Sequence, residues 1–91
     1  MRYRVLLHPK ARKALLSMHP QDASRVRRHL RELEQNPFSR RPGADIKRLR
    51  GTKGRQDLYR IRIGKFRAVY AVEGDKVLVT DLFERGAGYE V

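Results

Sequence analysis

Ninety-one residues make a single domain, 1–91, with a small core and little room for an enclosed cavity, so work is expected on an open surface. Twenty-two Lys and Arg against ten Asp and Glu give a net charge of +12, and sixteen of the twenty-two are arginine. The planar arginine fork fits phosphate, which makes nucleic acid the first partner to consider. The absence of cysteine excludes a disulfide framework and a thiolate metal site. No long apolar run suggests a membrane span and no charged-then-apolar start suggests a signal peptide, so the expected compartment is the cytoplasm.

Met1 to Leu7 alternates, with Tyr3, Val5 and Leu7 against Arg2 and Arg4, and predicts a strand with one buried face. His8-Pro9 ends it, and Pro9 suits the first turn of a helix. Ala11, Ala14, Leu15 and Met18 then form an apolar helical stripe. His19-Pro20 repeats the punctuation before a second helix with Ala23, Val26, Leu30 and Leu33 on one face, which ends before Pro37. The two form an antiparallel helix pair whose narrow stripes must cover something.

Phe38 to Gln56 is the least regular stretch. Ile46 and Leu49 are expected to anchor it as a short extra strand. The basic residues Lys47, Arg48 and Arg50 are expected along one rim, and with Lys53 and Arg55 they are the expected RNA contacts. A plain solvated basic loop is the other reading of this run.

Asp57 to Val72 reads as a hairpin turning at Gly64-Lys65. A two-residue turn pairs Ile63 with Phe66, Arg62 with Arg67, Ile61 with Ala68 and Arg60 with Val69. Tyr59, Ile61, Ile63, Phe66, Ala68 and Tyr70 then share the face that the helix pair covers. Arg60, Arg62 and Arg67 share the other, with no acid among them. Like charges opposite one another on a sheet cost roughly 0.2–1 kcal/mol, so three guanidiniums together point to an absent anion. The alternative is a solvated basic face.

Glu73 to Lys76 forms a turn and Lys76 to Phe83 a further strand. Simple alternation would bury Asp81 under the helices, so a bulge or a strand end is expected there. The tail leaves the sheet at Glu84 and carries Arg85 and Tyr89 among glycines. The order β-α-α-β-β-β predicts an α+β layer: a small antiparallel sheet with the N-terminal helix pair on one face.

No metal or cofactor site is expected. His8, His19 and His29 come without a carboxylate cluster and read as surface or capping residues. Ser17, Ser24 and Ser39 sit in no nucleophile turn, and Gly51-Thr52-Lys53-Gly54 lacks the spacing of a phosphate loop. What remains is an arginine face with an aromatic nearby, the combination that holds single-stranded RNA: forks on phosphate, a ring on a base. Tyr89 could equally peg the tail to the core.

LYRIRIGKFRAVYAV, then VLVTDLFERGAGY, resembles the RelE/ParE superfamily of toxins from toxin–antitoxin modules, and LRGTKG resembles its LxG segment. The resemblance runs from Tyr3 to Tyr89, and the Arg-Gly-x-Gly-Tyr tail is most similar to archaeal RelE members. It implies a ribosome-dependent mRNA endoribonuclease, with Arg60, Arg62, Arg67, Arg85 and Tyr89 as cleavage residues, the mRNA and the ribosomal A site as partners, and an acidic antitoxin that wraps the toxin. Many RelE proteins have lysine where this chain has Arg60 and Arg62, and a guanidinium cannot serve as a base. The ParE branch, which inhibits DNA gyrase, and an RNA-binding module without catalysis are the competing functions.

Overall fold

The Gly64–Lys65 turn forms with φ +59° at Gly64 and no positive φ at Lys65, the pattern of a II′ hairpin. The left-handed backbone there is what favours glycine; a Cβ at residue 64 would stand 2.9 Å from the tip of the exposed Arg25 side chain, which can shift to make room. The hairpin is one part of a computed structural model that describes residues 2–49 and 58–85. The expectations placed on Arg50, Lys53, Arg55 and Tyr89 lie outside the described residues.

Described elements follow the order β1 (Arg4–Leu7), α1 (Pro9–Leu16), α2 (Pro20–Glu32), β2 (Asp45–Arg48), β3 (Leu58–Ile63), β4 (Phe66–Glu73) and β5 (Lys76–Glu84). They build an α+β layer in which two helices cover one face of a five-stranded sheet ordered β1-β5-β4-β3-β2. Pro9 and Pro20 start the helices, and His8 caps the first by accepting at Nδ1 from the Lys10 amide at 3.1 Å. His19 makes no side-chain cap bond.

The hairpin register is the one alternation predicts, from Ile63↔Phe66 through Arg62↔Arg67 and Ile61↔Ala68 to Arg60↔Val69. Ile61, Ile63, Ala68 and Tyr70 are fully buried beneath Ala11, Leu15, Ala23, Val26, Leu30 and Leu33 of the helix layer. At Asp81 the ladder shifts: Val69 pairs with Asp81 but Tyr70 with Val79, so Thr80 is the extra residue of a bulge. Val77 and Val79 thereby face the helices while Asp81 turns to the other side, where Lys10 meets it at 3.1 Å.

In one respect the sheet departs from expectation. It is mixed, because β1 lies parallel to β5 with Val5↔Val77 and Leu7↔Val79. The chain between the two strands, from α1 through β4, is long enough for parallel pairing, and this register keeps both apolar sets of the two strands under the helices.

The irregular stretch is tied down by polar bonds. Tyr70 Oη donates to the Pro37 carbonyl at 2.7 Å, and burial raises the phenol pKa far above its ordinary value. Arg41 donates to the carbonyls of Glu32, Asn36 and Ser39. Tyr3, Phe38, Tyr59 and Tyr70 form a run of ring contacts 5.6–6.0 Å apart. Ile46 anchors β2 in the core, and Leu49 continues its pairing through the Leu58 carbonyl.

Candidate functional site

On the sheet face turned away from the helices, Arg62 stands directly opposite Arg67, with Arg60 one step along β3. Opposed residues of such a pair lie about 4.5–5.5 Å apart at Cα, so the two guanidiniums can reach one anion. Arg85 follows β5 at the hairpin end, where its amide donates to the Lys65 carbonyl. No ion pair among the described residues involves Arg67 or Arg85. The Arg67 Nε is buried and has no hydrogen-bond partner.

The expectation that no acid stands among these arginines is corrected by β2. Its first residue, Asp45, pairs in register with Arg62. The Asp45 carboxylate lies 3.4 Å from Arg40 Nε, 3.6 Å from Arg60 Nη1 and 4.0 Å from Arg62 Nη1. Arg60 also donates to the Asp45 carbonyl at 3.3 Å, and only 14% of its side chain is exposed. Its pKa is lowered, first by burial, with Arg62, Arg67 and Arg40 adding to the effect and Asp45 opposing it. A guanidinium so lowered is still charged at neutral pH. The three arginines therefore differ: Arg60 braces β2, Arg62 is shared with Asp45, and Arg67 is unspent.

Lys47 pairs with Arg60 on the open face, whereas Arg48 pairs with Tyr59 on the opposite face, so these two alternate across the edge strand and do not form one row. Arg62 and Asp45 also border a cleft of about 510 Å³ between α2 and the start of β2, with His29, Arg40, Arg41 and Gly43. Sequence reasoning missed Asp45, Arg40 and His29. Asp45 had a signal, being the one acid between Arg40 and Gln56. His29 had none, since it lies off the apolar stripe of α2. No three described His, Asp or Glu residues are grouped to hold a metal ion. The face can bind anions and stabilise negative charge, and among the described residues Arg67 and Arg85 have no ion-pair partner.

The fold is shared with small toxins solved together with their antitoxins. The chain belongs to the ParE toxin family of type II toxin–antitoxin systems, whose pattern matches residues 5–87. It is 32% identical over 92 residues to a Methanocaldococcus jannaschii protein named "Putative toxin RelE1", covering 99% of this chain and 98% of that one. Its fold matches the archaeal RelE–RelB complex of Pyrococcus horikoshii OT3 with a TM-score of 0.80 and 34% identity, over 97% of this chain and 100% of that one. The RelBE2 toxin–antitoxin complex of Mycobacterium tuberculosis shares the fold at a TM-score of 0.74 and 20% identity, over 93% and 100% of the two chains. The protein is thus a type II toxin of the RelE/ParE superfamily.

Proposed function

We propose that the protein is a ribosome-dependent mRNA endoribonuclease, acting in the cytoplasm on codons in the ribosomal A site. The observation that carries this reading is Arg62 opposite Arg67 on the sheet face turned away from the helices, with a buried Arg67 Nε that has no hydrogen-bond partner. The RNA 2′-hydroxyl attacks the adjacent phosphorus, the 2′-O–P bond forms, the P–O5′ bond breaks and a 5′-hydroxyl leaves. Arg62 and Arg67 neutralise charge growing on the phosphoryl oxygens, where one well-aimed donor contributes roughly 2.7–4 kcal/mol. Arg85 steadies the leaving side, Tyr89 stacks a base, and Arg60 holds β2 in place. The ribosome supplies positioning. An acidic antitoxin covers the basic face between episodes of activity; the solved structures similar in fold are toxin–antitoxin complexes.

The family match to ParE favours one competing reading, inhibition of DNA gyrase. Incubating the purified chain with translating ribosomes, with free mRNA and with gyrase plus supercoiled DNA separates the two. Cuts in ribosome-bound mRNA, with little cleavage of free RNA, support the nuclease. Gyrase-linked DNA breaks with intact mRNA overturn it.

A further inference from the structure

The cleft beside the arginine face has the components of a nucleotide site. About 510 Å³ lies between α2 and the Arg40–Asp45 segment, open to solvent and continuous with the sheet face through Arg62. That volume lies within the ordinary range of small-ligand sites.

Two features say what it would hold. The first is His29. Its Nδ1 lies 2.9 Å from the Arg25 carbonyl, one turn back on the same helix. A carbonyl only accepts, so Nδ1 carries the proton and neutral His29 leaves Nε2 bare, on the ring edge away from the helix. Nε2 is then an acceptor in a cleft whose other polar side chains are three arginines and the Asp45 carboxylate.

The second feature is Asp45. Its contacts to Arg40, Arg60 and Arg62, at 3.4, 3.6 and 4.0 Å, all exceed the 2.7–2.9 Å of a tight charge-assisted bond. Arg40 and Arg62 hold an anion loosely, and both side chains reach solvent. Arg41 is otherwise engaged, by Glu32 and three carbonyls. A phosphate carries more acceptor oxygens than a carboxylate and can take over two forks that Asp45 only partly satisfies.

We propose that this cleft is a second nucleotide subsite for single-stranded RNA: Arg40 takes a phosphate in exchange for Asp45, Arg62 bridges that phosphate to the one at Arg67, and His29 Nε2 accepts from a ribose 2′-hydroxyl. The inference rests on the reading of the arginine face as an RNA site. It adds a neighbouring residue of the strand, about two strand spacings, or ~10 Å, from Arg67 across the sheet. The 2′-hydroxyl contact gives the chain a means of telling RNA from DNA.

The test is fluorescence anisotropy with a short single-stranded RNA and the DNA of the same sequence, on the purified full chain. His29 is half-buried on a helix, where alanine is tolerated, and thermal melting checks the fold. His29→Ala weakens RNA binding about five- to tenfold and leaves DNA binding within about twofold, the loss of one hydrogen bond. Asp45→Asn strengthens binding of both, because the competing charge is gone. Equal effects of His29→Ala on RNA and DNA, or weaker binding in Asp45→Asn, overturn the subsite. Cleavage of ribosome-bound mRNA is read in parallel. Cleavage with an unchanged RNA preference in His29→Ala removes the subsite and leaves the nuclease. A lost RNA preference without wild-type cleavage leaves the subsite and removes the nuclease.

Discussion

Each arginine of the open face answers to its neighbours, and they separate under substitution. Arg62 and Arg85 are solvent-accessible, and neither is braced as Arg60 is. Arg62→Ala and Arg85→Ala should each abolish growth arrest on expression while changing unfolding free energy by no more than about 0.5 kcal/mol. Full toxicity in both would remove the site assignment. Arg60 is different, being mostly buried and bonded to both the carboxylate and the carbonyl of Asp45. Arg60→Ala should lower stability by about 1–3 kcal/mol in urea titration, the cost of losing bonds to a charged group. A neutral result there would mean that relief of repulsion from Arg62 and Arg67 offsets the lost brace.

At the scale of elements, the hairpin and the bulge carry the fold. Period-2 alternation made the β3–β4 register legible, because a one-residue slip would expose Ile61, Ile63 and Tyr70. The same reasoning located the irregularity near Asp81, since an unpaired carboxylate under the helices is costly. Deleting Thr80 should therefore force Asp81 toward the helices or break the β4–β5 ladder, and the variant should fail to yield soluble folded protein. Gly64→Ala should cost about 1–2 kcal/mol, from the left-handed backbone at φ +59°. Two pairings were not legible. β1 meets β5 across nearly the whole chain, and Asp45 meets Arg62 only through β2, whose register no turn fixes. Long-range pairing depends on which apolar sets meet, and local pattern does not encode it. The arginine face could thus be read from the hairpin alone, but the carboxylate already resting on it could not.

For the whole molecule, charge and one buried phenol set behaviour in solution. Tyr70 ionises with more difficulty when folded, because burial raises its pKa from the ordinary 10.0. Folding is favoured by this group fully below pH 10, and the contribution is lost as the pH rises beyond it, since the unfolded chain releases the proton first. Tyr70→Phe should flatten that alkaline fall in the pH dependence of stability. It should also cost about 0.5–1.5 kcal/mol at neutral pH through the lost bond to Pro37. Under the proposed function, a net charge of +12 on so small a chain makes an acidic antitoxin and RNA competitors for one surface.

The central claim is that this toxin cuts mRNA with Arg62 and Arg67 on an open sheet face. Primer-extension mapping of mRNA on translating ribosomes tests it most directly, with wild-type chain and Arg62→Ala side by side. The account predicts codon-phased cuts with 5′-hydroxyl ends for wild type and none for Arg62→Ala. Intact mRNA with wild-type chain, or equal cutting by both proteins, would contradict it.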